Sequence, residues 1–230
     1  CIRDRARLHG DLEFTPVFPE TEETSAPVIE RYLPSRDYEK HNRELKRARR
    51  FLKQRSQKTW FEIRLSAVID PFLEEARQLC EEWKEIELAA SDSGEEVPLC
   101  FCHGDYQYHN ILRQDRGFFL VNFEKCQADG PVRDLYLLLR KLLEKSEWDA
   151  EWGRVLLAAY ESVRPLKPYE RQDLVYRLSY PEKLWKIVNF YYNSGKAWIP
   201  EKNQEKLDRL LEQEAVSYTH LRAHETGAYL

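Results

Sequence analysis

His103-Gly104-Asp105-Tyr106-Gln107-Tyr108-His109-Asn110 sets an Asp and an Asn in one short polar stretch, with four residues between them. A carboxylate such as Asp105 can accept the proton of a hydroxyl. An amide oxygen such as that of Asn110 can bind a metal ion carried on nucleotide phosphates. Together they meet the main demands of phosphoryl transfer: a base at the acceptor, metal on the phosphates, and alignment of the two. The spacing has a mechanical reason. A tight loop aims the Asp at the acceptor and then turns back, so that the Asn reaches the metal from the same side.

Such a site usually draws a second metal ligand from an Asp-Phe-Gly turn that follows a short hairpin. After a hairpin of the right length this chain has Asn122-Phe123-Glu124. The Phe is in place and the carboxylate is not. Magnesium prefers hard, anionic oxygens, so a neutral amide at 122 weakens the metal site. Glu124 lies two residues on, and in an extended segment it would share a face with Asn122 and could restore the charge. A working site and a degenerate one both remain open on these residues.

The elements around the loop follow from pattern. Prolines at 16, 19, 27 and 34 mark an extended N-terminal loop. A polar helix is expected from about Tyr38 to Gln57 and a second from Trp60 to Leu88, kinked at Pro71. The second helix would carry an apolar side that includes Trp60, Ile63, Leu65, Phe72, Leu73, Ala76, Cys80 and Trp83. A loop over Ser91-Asp92-Ser93-Gly94 and a strand from Val97 to Cys102 lead into His103. Ile111 to Arg113 and Phe118 to Phe123 form a hairpin beyond Asn110. Helices then run from Asp129-Gly130-Pro131 to about Glu144, and over Ala150–Val163, Tyr169–Leu178, Pro181–Tyr192 and Glu201–Ala215. Small hairpins beside the loop, embedded in helices, make an α+β fold.

The whole chain has 230 residues, 42% hydrophobic and 33% charged, ample for a core. No run approaches the roughly 18 apolar residues of a membrane span, so no membrane association is expected. Five cysteines without framework spacing point to a reducing, cytoplasmic compartment. The first long helix is basic, with nine Lys/Arg between Lys40 and Lys58 against Glu44 alone. No aromatic residue interleaves with them up to Arg50. A solvated face, or a hairpin with an acidic partner helix, is therefore favoured over nucleic acid. Methionine is absent throughout, and both ends read like translated adapter sequence. Residues 1–5 and 217–230 are accordingly expected to be artefacts, and 6–216 to be the folded body of a fragment.

His103-Gly104-Asp105 with Asn110, Val121-Asn122-Phe123-Glu124 and Asp134-Leu135 together resemble the aminoglycoside phosphotransferase and choline kinase superfamily. Within it, the segments His103–Asn110, Asn122–Cys126, Tyr180–Ile187 and Ala197–Pro200 look most like the spore coat protein S (CotS) group of spore-forming bacteria. The resemblance implies a protein-kinase-like C-terminal lobe, without the nucleotide-binding N-terminal lobe. It implies ATP and Mg2+ as cofactors, a small-molecule hydroxyl as acceptor or spore coat proteins as partners, and a place in the spore coat. By matching positions, Asp105 is the catalytic base, Asn110 a metal ligand, and Asn122 stands where the main metal-binding Asp belongs. Glu124 is the candidate substitute. Asp134 matches a buried Asp that braces the loop, and His103 a packed structural residue. An active phosphotransferase and a pseudokinase with a structural coat role are both compatible with it.

Two further groups invite chemistry. Cys100, Cys102, His103 and Cys126 suggest zinc, but C-x-C on a strand puts both thiols on a core face, and no C-x-x-C spacing is present. Tyr180, Trp185, Tyr191, Tyr192 and Trp198 suit an aromatic cage for an amine or sugar, or equally a helical core.

Overall fold

The computed structural model describes residues 2–3, 13–14, 34–92, 99–114, 117–193 and 201–212. The sequence expectations for residues 15–33, Ser93-Gly94, Val97, residues 213–215 and the 217–230 tail lie outside the described residues, as does Trp198. In chain order the elements are β1 (Glu13–Phe14), α1 (Pro34–Gln54), α2 (Trp60–Asp92), β2 (Leu99–Cys102) and a 3-10 turn (Tyr108–Asn110). Then come β3 (Ile111–Gln114), β4 (Gly117–Leu120), β5 (Gln127–Asp129), α3 (Val132–Lys145), α4 (Ala150–Glu161), α5 (Pro168–Ser179) and α6 (Glu182–Asn193), followed by a helix over residues 201–212. The chain divides into two units: residues 1–33 with 86–178, and residues 34–85 with 179–230.

In the unit formed by residues 34–85 and 179–230, α1 begins at Pro34, earlier than the sequence pattern suggests. Proline suits a first helical turn because its missing N–H would be unpaired there anyway. The start of α2 is set by a capping box. The Glu62 carboxylate, fully buried, accepts the Thr59 N–H at 2.8 Å, while Thr59 Oγ1 accepts the Glu62 N–H at 3.3 Å. Arg55 adds an ion pair to Glu62 at 3.0 Å. The helix so phased turns Phe61, Leu65, Ile69, Phe72, Ala76, Cys80 and Trp83 inward, three or four residues apart. Trp60 and Ile63 are off that stripe and stand 58% and 50% exposed, contrary to the sequence expectation. The helix also continues past Leu88 and takes in Ser91 and Asp92, with Pro71 inside it.

Leu45, Leu52, Phe61, Leu65, Leu184 and Leu207 centre the core of this unit. Each such side chain contributes about 1.5–3 kcal/mol on burial. Two ion pairs cross between α1 and α2: Arg49–Asp70 joins the basic run to an acid of the partner helix, and Lys84–Glu39 runs the opposite way.

In the unit built on residues 86–178, β2 is the middle strand of an antiparallel sheet between β1 and β5. Cys100 lies opposite Asp129, and Cys102 opposite Gln127. β3 and β4 form a separate hairpin, with Ile111 opposite Leu120. Neither β1 nor β5 is legible in the sequence, since two or three residues show no alternation. The helical core here gathers Val132, Leu135, Leu139, Tyr160 and Leu174. Asp149 caps α4 by accepting the N–H groups of Glu151 and Trp152. Among the described residues no helix is long and apolar enough to cross a membrane.

Candidate active site

β2 carries the chain into the His103–Asn110 loop, and its alternation decides what happens to the thiols. Cys100 and Cys102 are fully buried, their sulfurs 3.6 Å apart. The Cys102 thiol is pushed well up by its hydrogen bond with Cys100 and by burial, which keeps it protonated and poorly suited to a metal. Cys126 is exposed. Among the described residues, no three His, Cys, Asp or Glu side chains come together as a metal site.

The loop is tied down from below by Asp134, which sits in the first turn of α3 and is fully buried. Its carboxylate accepts the backbone N–H of His103 at 2.7 Å and of Gly104 at 2.9 Å. A charged acceptor shared by two buried amides is a strong anchor. Gly104 itself has φ +74°, and a Cβ there would lie 2.1 Å from the carbonyl oxygen of Lys125. Only glycine lets the 121–126 segment come so close.

His103 is buried and knits the two segments together. Its Nδ1 accepts the Asp105 N–H at 3.2 Å, which leaves the ring proton on Nε2 to be donated to the Val121 carbonyl at 2.9 Å. The Phe123 ring lies 4.7 Å from the imidazole. The position of His103 is therefore a packing and hydrogen-bonding one.

Asp105 is 29% exposed at its side chain. Its Oδ1 accepts from Gln107 Nε2 at 2.8 Å and its Oδ2 from Lys125 Nζ at 2.9 Å. Asn110 closes the 3-10 turn and is buried. Its Nδ2 donates to the Asp105 carbonyl at 2.8 Å, which fixes the orientation of the amide and turns Oδ1 toward Asn122. Asn122 answers with Nδ2, donating to Asn110 Oδ1 at 2.8 Å.

Asn122 has φ 66°, in the left-handed region that Asn tolerates better than most residues. Beyond it the Cys126 N–H bonds to the Phe123 carbonyl at 2.9 Å, making Glu124 and Lys125 the centre of a tight turn. The segment is thus not extended, and the shared face of Asn122 and Glu124 does not arise. Glu124 is exposed on that turn. Gln107 and Lys125 are both in contact with Asp105, and neither is among the candidate residues of the sequence. Their only sequence signal is their presence inside the two motif segments.

Magnesium does not fit this pole as it stands. The one oxygen that Asn110 directs to it already receives an N–H, Asn122 faces it with a donor, and Asp105 meets a Lys ammonium. Magnesium on a nucleotide is held by one or two protein carboxylates together with phosphate oxygens and water, and here residue 122 offers no carboxylate while that of Asp105 is paired with the ammonium.

The four described aromatic residues of the expected cage are each engaged in packing. Tyr180 stacks on Tyr38 at 4.0 Å and bonds Asn42 through its hydroxyl. Trp185 stacks on His41 at 3.5 Å and donates Nε1–H to Glu44. Tyr191 stacks on Phe61 at 4.2 Å, while Tyr192 meets Phe51 edge-on at 5.4 Å.

The model of the phosphotransferase enzyme family matches residues 28–171 of this chain. Over 116 residues the chain is 32% identical to spore coat protein S of Bacillus subtilis, a stretch that covers 50% of this chain and 33% of that protein. The fold superposes on the crystal structure of an aminoglycoside phosphotransferase from Alicyclobacillus acidocaldarius with a TM-score of 0.79 and 18% identity, covering 98% of this chain and 64% of that one. That likeness establishes the fold, an α+β kinase-like lobe. The chain spans less than two thirds of either relative. With the matched family model covering the catalytic-type loop, its Asp134 brace and the turn at Asn122, the chain belongs to the phosphotransferase enzyme family.

Proposed function

We propose that this chain is a kinase-fold component of the bacterial spore coat, acting by assembly with coat proteins and without magnesium-dependent turnover. The observation that carries this reading is the hydrogen bond from Asn122 to Asn110, which fills the metal pole with a protein N–H. The similarity to spore coat protein S supports the location. Cytoplasmic synthesis followed by deposition in the coat is part of the same proposal.

A second reading is phosphoryl transfer from ATP to a small-molecule hydroxyl, with Asp105 as base. The bracing of the loop by Asp134 favours it, because the acceptor-side half of the site is held as a reactive loop would be. In this reading Asn110, Asn122 and Glu124 would have to hold the metal.

The two separate on one substitution. Asp105→Asn keeps the shape of the loop and removes the base. Introduced into the full-length gene of a spore-forming host, it is expected to leave coat localisation and spore resistance unchanged. Loss of either function from a variant that still folds would overturn the assembly reading in favour of catalysis.

A further inference from the structure

Three side-chain oxygens of the loop accept hydrogen bonds from donors that the chain itself supplies. Asp105 Oδ1 has Gln107, Asp105 Oδ2 has Lys125, and Asn110 Oδ1 has Asn122. Two of the three donors come from the same short segment, and one of them carries a full positive charge.

The placement of Lys125 is fixed by its backbone. Its carbonyl sits where a side chain at Gly104 would otherwise be, and the Cys126-to-Phe123 hydrogen bond closes the turn around it. The Phe123 ring rests on His103, and the Asn122 amide is pinned to Asn110. The Lys125 side chain is 66% exposed, but its stem starts from a point held on several sides. From that fixed start the exposed side chain reaches the Asp105 carboxylate, 2.9 Å from the ammonium.

We propose that Lys125 is the resident cation of this site: its ammonium neutralises Asp105 while the Asn122 amide satisfies Asn110, and the pair takes over the charge and hydrogen-bonding duties of a divalent ion. The proposal rests on the reading that the metal pole is closed, and it assigns a positioning role to a residue that is not among the candidate site residues of the sequence. It explains why the neutral amide at 122 and the Lys at 125 occur together. An Asp at 122 beside Asn110 Oδ1 would set oxygen against oxygen unless a cation lay between them. With Asn there, Asp105 is the carboxylate that the ammonium of Lys125 meets, and one positive charge balances it. Lys125 also repels an incoming divalent ion, so a carboxylate at 122 alone leaves the pole with weakened affinity for one.

The test is a titration of the purified chain with Mn2+ alone, no nucleotide present, in wild type and in the variants N122D, K125M, N122D/K125M and N122D/K125R. Wild type and K125M are expected to show no saturable binding, because the Asn122 donor remains. N122D is expected to bind weakly. N122D/K125M should bind roughly fivefold tighter than N122D at low salt, the size of effect that one partly exposed charge exerts, with the gap closing as salt rises. N122D/K125R should behave like N122D, since Arg keeps the charge and Met keeps only the stem.

Equal affinities for N122D/K125M and N122D/K125R would overturn the resident-cation assignment. So would a cooperatively melting N122D/K125M that binds no metal. Should the double variant not fold, hydrogen exchange decides. Without metal, K125M should speed exchange of the Cys126 amide while K125R should not, and the same rate in both variants would also sink the assignment. Magnesium-dependent phosphoryl transfer by wild type overturns the proposed function instead, and leaves the comparison of Met and Arg at 125 standing as a separate result.

Discussion

Asn122 and Asn110 face each other across 2.8 Å, amide nitrogen to amide oxygen, with Asn122 in a left-handed backbone conformation. The direction of that bond is dictated by a third group, the Asp105 carbonyl, which takes the other end of the Asn110 amide. A residue at 122 must therefore satisfy two conditions at once: tolerate φ 66° and offer a donor to Asn110. Asn does both, and Asp does only the first without a cation.

Asn122→Gly and Asn122→Ala should separate these conditions. Glycine loses the hydrogen bond but removes the backbone strain, and should cost about 1 kcal/mol at most. Alanine loses the bond and adds left-handed strain, and should cost about 2 kcal/mol. Urea unfolding of both variants measures the difference, and equal midpoints would show that the backbone conformation carries no cost.

Asp134→Ala should be far more damaging than its distance from Asp105 suggests. It leaves the His103 and Gly104 amides buried without their acceptor, at roughly 2–4 kcal/mol for the pair. Asp134→Asn keeps one acceptor oxygen and should lose about half as much. Denaturant melts give the stability. The amide chemical shifts of Gly104 and Asp105 report whether the loop moves. A silent Asp134→Ala would mean that the brace is replaceable.

Asp173 should make stability fall as pH rises. Burial pushes its carboxyl up from 3.8 to about 6, outweighing the Arg177 guanidinium at 2.7 Å, with Asp129 and Glu87 adding to the rise. A carboxyl raised in the folded state holds its proton more tightly there than in the unfolded chain. Its stabilising contribution is complete below about pH 4 and is lost as pH climbs through about 6. The size is on the order of 3 kcal/mol. Asp173→Asn should flatten that part of the stability curve between pH 4 and 7, and an unchanged curve would place the proton elsewhere.

Much of the helical framework was legible because it depends on local rules. The α4, α5 and α6 spans were expected to within two residues, since capping and a 3.6-residue period are written in neighbouring positions. The stripe on α2 was only partly legible. Trp60 and Ile63 are apolar and fit a loose reading of the pattern. The capping box at Thr59 and Glu62 then set the helix phase and left both outside. The β1 and β5 strands were invisible, being made by pairing with β2 and by little in their own sequence.

In the candidate site, spacing alone determined which residues form the loop, because Asp105, Asn110 and the turn after the hairpin sit at separations that a short loop must use. It also determined that residue 122 is neutral, and so posed the question of the metal. Tertiary structure decided the answer. Residues 121–126 are brought against Gly104 by a close backbone approach that no local pattern announces. Only that contact places Lys125 on Asp105 and turns the Asn122 amide onto Asn110. Hydrogen-bond direction and charge pairing depend on distances across the fold, and sequence separation does not encode them.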